Sequence, residues 1–426
     1  MSSSSGRSPI APHPLSEPSR TARRVLVLAS LILFIDGYDL FTLGTVGPAL
    51  LHYGAWDASV DGATLGMLGM LTGLGMLPGS ALAGWAGDRW GRRKPMSAAL
   101  ALVSCSMLLS ALAPSLEVFA IARLGTGIAV GALAPLVAAL VSDHAPARRR
   151  TLHIAVAMAA VGIGGASSAL LGHALLPKTH FQWLFAPGAL PLLLVPVFLR
   201  LLPETPGAAL AENAERARPA ELFAAGRQRA TLLLWLASFM SMALIYSTST
   251  WLPSVLMKSG YDLSSALEFS TVFTLGASAG TTCLSLLADR GHLRAVTLGG
   301  FLLAAVTLLA LSTQQPRPLL LLFAALAGVG SLGTQSLIVA CMAAHYPPGI
   351  RGTGMGFALA MGRIGAIAGP GYLAAVTGVF SSPRAGFYAF ALPAACGALA
   401  ITALPRRTTR SGKTAVPPAV SRITAQ

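Results

Sequence analysis

Charge is scarce in this 426-residue sequence, in which Asp, Glu, Lys and Arg make up 11% of the residues, less than half of the roughly 25% usual in soluble globular proteins. That deficit excludes an ordinary soluble enzyme. Acids are scarcer still, with 15 Asp and Glu against 30 Lys and Arg and a formal net charge of +15. Cysteine is limited to Cys105, Cys283, Cys341 and Cys396, each inside an apolar stretch and none in a CxxC or Cys/His cluster. They are therefore read as packing residues. GxSxG, HExxH and P-loop patterns are missing, so the sequence offers no nucleophile, metal or nucleotide site.

What the sequence does have is apolar length. Hydrophobic residues make up 54% of the chain, and the mean hydropathy is +0.67. Segments of about 18 to 25 apolar residues can cross about 30 Å of hydrocarbon as helices, and twelve are present: 25–51, 64–86, 96–113, 116–142, 152–176, 185–202, 231–257, 267–288, 295–313, 319–344, 353–377 and 387–404. An even count puts both termini on one side. Of the 30 basic residues, 24 fall on that side, four on the far side (Lys178, Lys258, Arg317, Arg384) and two inside helices (Arg123, Arg363). By the positive-inside rule both termini are expected in the cytoplasm, in a bacterial inner membrane. The excess charge is thus a topology signal. No basic stretch interleaves with aromatics, so nucleic acid is not an expected partner. Residues 1–24 read as a disordered tail rather than a signal peptide, because the apolar segment that follows is too long and carries acids. Residues 203–230 read as a polar linker and 405–426 as a second tail.

Adding 201 to positions in the first half reproduces the second. Segment 116–142 becomes 317–343, Asp88 and Arg89 map onto Asp289 and Arg290, Arg93 onto Arg294, His144 onto His345, and Arg150 onto Arg351. The chain is expected to be all-α, with two six-helix halves (25–202 and 231–404) that rock about a central site.

The loop after the second segment holds Gly84, Gly87, Asp88, Arg89, Gly91, Arg92, Arg93 and Lys94. Its glycines allow close approach of a neighbouring helix, and Asp88 can accept charge-assisted hydrogen bonds. The group is a candidate gate at the cytoplasmic face. This Gly-x-x-x-Asp-Arg-x-Gly-Arg-Arg-Lys pattern resembles the signature loop of the major facilitator superfamily, with Asp289 and Arg290 at the position of its weaker second copy. Arg123 and Gly127 match that family's Arg-x-x-x-Gly motif in helix 4. The resemblance covers all twelve segments and implies the major facilitator fold.

Charges inside the membrane need a reason, since each costs at least about 2.5 to 3.5 kcal/mol on insertion scales. Four stand out: Asp36 and Asp39 in the first segment, Arg123 in the fourth and Arg363 in the eleventh. Asp36 and Asp39 share a helix face. Counting along each helix, Asp36 lies about 16 Å deep and Asp39 about 21 Å, with Arg123 near the level of Asp39 and Arg363 near that of Asp36. Burial and a like charge nearby both favour a protonated carboxyl, which makes the pair a candidate for taking up and releasing a proton. A buried Arg offers a planar fork for a carboxylate, which makes Arg123 and Arg363 candidate anion sites. The same four groups also suit two permanent interhelical bridges, and the sequence leaves both readings open.

The run Asp36, Gly37, Tyr38, Asp39 resembles the Asp-Gly-x-Asp signature of the aromatic acid:proton symporters. That likeness implies proton coupling through Asp36 and Asp39, and substrate binding or transport through Arg123 and Arg363. An aromatic acid also needs a slot with stacking surfaces. Tyr38 and Tyr246 are candidates, as are Phe34, Phe41, Phe239 and Trp251, although aromatics also mark membrane interfaces. Thr334, Gln335 and Ser336 are available to hydrogen-bond a ring hydroxyl or a neighbouring helix.

The sequence is therefore expected to encode a secondary carrier, not an enzyme. It would import a small aromatic carboxylate of the benzoate, hydroxybenzoate or hydroxyphenylpropionate type with a proton, by rocker-switch alternating access. No cofactor is expected, since the proton gradient supplies the energy, and the chain is expected to act as a monomer. The alternative is a proton-coupled antiporter exporting a drug or metabolite on the same fold. Such antiporters carry a Gly-Pro motif in helix 5, and Gly162, Gly164 and Gly165 are followed by no Pro there.

Overall fold

The computed structural model describes residues 20–53, 56, 60–146, 150–176, 178–203, 222–223, 227–313, 315–346, 351–380 and 382–405, with backbone alone at 52, 53, 84, 88, 150, 151 and 351–353. Most of both expected tails and of the expected linker lies outside the described residues; residues 20–24, expected in the first tail, are helical and open α1. What is described is helical. In chain order the helices are α1 (Arg20–Tyr53), α2 (Gly62–Trp90), α3 (Arg93–Ala111), α4 (Leu116–His144), α5 (Arg150–Leu175), α6 (Pro191–Leu201), α7 (Gln228–Lys258), α8 (Leu263–Leu287), α9 (Leu293–Ala310), α10 (Arg317–His345), α11 (Arg351–Val379) and α12 (Ala385–Ala403). Two 3₁₀ turns, Phe181–Leu184 and Ala186–Ala189, lead into α6 and lengthen that crossing to Phe181–Leu201.

Eleven continuous helical stretches are long and apolar enough to cross a membrane, and one of them, Leu263–Ala310, runs for 48 residues. At 1.5 Å per residue that is about 72 Å, more than twice a bilayer core. Gly291, with φ of +94°, breaks it. A left-handed backbone is open to glycine at no steric cost, so the chain reverses there and α8 and α9 become separate crossings, the twelfth of the set. Gly91, with φ of +74°, ends α2 in the corresponding loop of the first half. The two glycines sit one residue out of the 201 register.

The repeat is visible in the packing. Gly75, Gly79 and Gly127 let α2 and α4 approach so closely that a Cβ would overlap Leu124, Ile128 and Thr72 respectively; Gly276, Gly280 and Gly328 do the same for α8 and α10 against Ala325, Val329 and Phe273. Every member of these pairs is 201 residues from its counterpart. Asp61 and Asp262, also 201 apart, cap α2 and α8, accepting from Thr64 N at 2.8 Å and Ser265 N at 3.2 Å. These bonds favour the ionised carboxyl and hold both below the usual carboxylate range. The outer wall is apolar, with Val27, Leu82, Leu193 and Leu399 exposed, as suits contact with lipid tails.

The side that carries Arg20 and Ala403 is here the terminal side. Toward the far side the halves are in contact. Gly44 of α1 packs on the Ser249 carbonyl of α7, Gly66 and Gly69 of α2 on Ala374 and Pro370 of α11, and Gly162 of α5 on Thr274 of α8. Contact between the halves continues past mid-depth, where Ser278 Oγ donates to Ala159 O at 2.6 Å, each residue nine from the terminal-side end of its helix. Toward the terminal side α11 is open, with nothing within 4 Å of a Cβ at Gly356 and with Phe357 and Leu359 exposed.

Candidate functional site

Arg123 is held entirely within the first half. Its Nη1 donates to Asp39 Oδ1 at 3.2 Å, and its Nη2 donates to Ser110 Oγ at 2.8 Å and approaches Met107 Sδ at 3.7 Å. The guanidinium also lies over the rings of Phe119 and Phe185, at 5.5 and 4.9 Å. Both Arg123 and Asp39 are 1% exposed. The pairing of Arg123 with Asp39 follows the depths counted from sequence. Its two terminal nitrogens are thus engaged within the first half, while Nε has no partner among the described residues. The sequence reading missed Ser110, Met107, Phe119 and Phe185; the run of Ser97, Ser104, Ser106 and Ser110 in an otherwise apolar α3 was the available signal.

Asp36 and Arg363 are arranged differently. Asp36 lies within electrostatic range of Arg363, Asp39 and Tyr246, and Arg363 within that of Tyr246, but no Asp36–Arg363 ion pair forms within 4 Å. Arg363 Nη1 instead meets Met76 Sδ of α2 at 3.8 Å, a weak acceptor. The second guanidinium therefore has no carboxylate partner among the described residues, and Asp36 Oδ1 and Asp39 Oδ2 are buried with no hydrogen-bond partner among them. Asp39, Leu40, Leu43, Gly69, Thr72 and Arg123 of the first half enclose, with Tyr246 and Thr250 of α7, a cavity of about 10 Å³, room for about one water. Asp39 of one half and Tyr246 of the other share this lining, of which Asp36 and Arg363 are not part.

Tyr38 does not join them. Its hydroxyl donates to Leu184 O at 2.7 Å, so the ring turns into the first half. The expected ligand contact of Tyr38 is corrected on that ground: one helical step of about 100° separates it from Asp39. Tyr246 is buried and lines the cavity. Gln335 is half-buried, and both atoms of its carboxamide are shielded and unpartnered among the described residues.

The loop residues expected to form a gate lie on the terminal side. Arg92 Nη1 pairs with Asp143 Oδ2 at 2.7 Å, tying the start of α3 to the end of α4 within one half. Arg89 lies over Trp85 at 5.8 Å. Gly91 makes the turn, Arg93 opens α3, and Asp289 and Arg290 are exposed. The side chain of Asp88 lies outside the described residues, and Gly84 is described by its backbone alone.

The family model described as "Major Facilitator Superfamily" matches residues 29–270 and 268–424. The benzoate transport protein of Acinetobacter baylyi is 30% identical over 82% of this chain and 82% of its own. The 3-(3-hydroxy-phenyl)propionate transporter of Escherichia coli K12 is 33% identical over 83% and 87%, and the gentisate transporter of Corynebacterium glutamicum 31% over 91% and 88%. Among solved structures, a D-xylose-proton symporter superposes with a TM-score of 0.74 at 18% identity, covering 90% of this chain and 97% of that one. That likeness shows the fold alone.

Proposed function

The chain belongs to the major facilitator superfamily, and from that premise we propose that it carries a small aromatic carboxylate into the cell together with a proton. It is a multi-pass membrane transporter and not an enzyme. In the reading proposed, residues 25–202 and 231–404 are the two rocking halves, 203–230 is the linker, and both termini are cytoplasmic in a bacterial inner membrane. The protein works as a monomer without a cofactor.

One observation supports the reading: Arg363, a guanidinium without a carboxylate partner among the described residues, lies within electrostatic range of the buried Asp36 of the other half. Arg363 takes the substrate carboxylate in its fork, and Tyr246 supplies an aromatic wall. Asp36 and Asp39 carry the proton coupling, with Arg123 holding Asp39 in place. The charge of the entering acid is balanced by Arg363, and the co-transported proton neutralises a carboxyl that the closing halves withdraw from water. Arg92 and its loop then hold or release the terminal side as the halves rock.

The test is uptake of labelled benzoate and hydroxybenzoates by proteoliposomes containing the purified protein. Accumulation above equilibrium with the acid side outside, abolished by a protonophore, supports the reading. Accumulation above equilibrium that persists in a variant carrying both Asp36→Asn and Asp39→Asn, or wild-type accumulation indifferent to the pH gradient, would sink it.

A further inference from the structure

We propose that Gln335 on α10 reads a ring hydroxyl, so that the site takes hydroxylated aromatic carboxylates in preference to unsubstituted benzoate. The inference rests on the aromatic-acid reading above and names its substrate class more narrowly.

Three polar residues follow one another on α10, and their surroundings separate them. Thr334 Oγ1 donates to Gly330 O and packs against Gly300 of α9. Ser336 Oγ donates to Gly333 O at 3.1 Å. Both hydroxyls are satisfied within their own helix. The Oε1 and Nε2 of Gln335 are shielded from solvent and neither has a partner among the described residues. A carboxamide held that way is destabilising, and the cost disappears when a partner engages it.

Its position fits a ligand held by Arg363. Gln335 is ten residues from His345 at the terminal end of α10 and Arg363 is twelve from Arg351 at the terminal end of α11, so the two lie about 15 and 18 Å from that end. Gly333 packs on α8 and Thr334 on α9. Leu332, one turn from Gln335, packs against both main hydrophobic clusters, one of which includes Ile245, Tyr246 and Ala366. On α7, Ser238 packs against Gly362, the neighbour of Arg363, and Ser238 Oγ and Ser241 Oγ are also buried without partners among the described residues.

The second half thus offers, at one depth, a forked cation and several unengaged neutral donors and acceptors. The first half holds the carboxylates. A hydroxybenzoate matches this division. Its carboxylate takes the Arg363 fork, and its ring hydroxyl donates to Gln335 Oε1 or accepts from Nε2. A site built to hydrogen-bond a hydroxyl rejects the analogue that lacks it, because the polar group of the site is then left unpaired.

The experiment is calorimetric titration of the purified full-length protein with benzoate, 3-hydroxybenzoate and 4-hydroxybenzoate, for the wild type and for Gln335→Leu, with the thermal midpoint of each ligand-free protein. The wild type is expected to bind at least one hydroxybenzoate ten-fold or more tightly than benzoate. Gln335→Leu is expected to lose at least ten-fold in affinity for that hydroxybenzoate, to keep benzoate within two-fold, and to melt no lower than the wild type. Equal affinities in the wild type, or equal losses for both ligands in the variant, would overturn the proposal. So would a lower melting point in both Gln335→Leu and Gln335→Met, since the carboxamide would then be a structural group. A wild type that binds only aliphatic acids removes instead the aromatic reading on which the proposal stands.

Discussion

Gly44 sits where the two halves meet on the far side, and a methyl group there is a wedge. A Cβ at this position overlaps the carbonyl oxygen of Ser249 on α7, which is backbone and has no rotamer to yield. Overpacking of this kind costs about 1 to 3 kcal/mol. Opening the far side removes the clash, so the penalty falls on the closed arrangement alone. A penalty of about 2 kcal/mol changes the ratio of closed to open by about thirty-fold, at ten-fold per 1.4 kcal/mol. Spin labels at Lys178→Cys and Lys258→Cys, in a background without the four native cysteines, report the far-side separation by pulsed dipolar spectroscopy. In Gly44→Ala the longer separation gains at the expense of the shorter. Gly75→Ala is the control, because its clash, with Leu124 of α4, lies within one half. It lowers the melting temperature and leaves the distance distribution unchanged. The reasoning fails if a folded Gly44→Ala protein keeps the wild-type distances, or if Gly75→Ala shifts them equally.

Other perturbations follow from the same geometry. Asp39→Asn leaves Arg123 buried without its counter-charge, a loss of about 3 to 5 kcal/mol visible as a lower thermal midpoint, and the double variant with Arg123→Met recovers most of it. Asp36→Asn breaks no ion pair, so it keeps its midpoint while losing the pH dependence of uptake. Arg363→Lys keeps the charge but loses the fork, and ligand affinity measured by calorimetry drops at least about ten-fold, the equivalent of about 1.4 kcal/mol. Asp61→Ala removes the cap of α2 at a cost of about 1 kcal/mol. Because the folded-state pKa of Asp61 is lowered, the contribution of the cap is fully present above the unfolded value of about 3.9 and is lost as pH falls below it. The difference in melting temperature between the two proteins should therefore be constant at neutral pH and narrow in acid scans.

The parts legible in sequence are those fixed by a period or by a large energy. Apolar length gave twelve crossings, and only the turn at Gly291 lets the long stretch Leu263–Ala310 be counted as two. The 201 offset, read from loop residues, reappears in glycine contacts such as Gly75 with Leu124 and Gly276 with Ala325. Depth along a helix placed Arg123 beside Asp39, since an unpaired charge there is too costly to leave. Depth says nothing about azimuth. Tyr38 and Asp39 are adjacent in sequence yet turn to different neighbours, and Thr334, Gln335 and Ser336 differ only in which helix each one meets. Arg363 was placed at the level of Asp36, but a guanidinium on a long stem reaches Met76 instead. The loop from Gly84 to Lys94 was legible as a motif, whereas the pairing of Arg92 with Asp143 depends on where α4 ends.

The account centres on an aromatic acid and a proton moving together through the junction that Asp36, Asp39 and Arg363 share. Simultaneous recording of labelled hydroxybenzoate and internal pH in proteoliposomes, with no gradient but that of the substrate, tests it most directly. The account predicts that inward movement of the acid acidifies the lumen with matching kinetics, and that Asp36→Asn abolishes the acidification while exchange of labelled substrate continues. Substrate entry with no change in internal pH, or driven only by a sodium gradient, would contradict it.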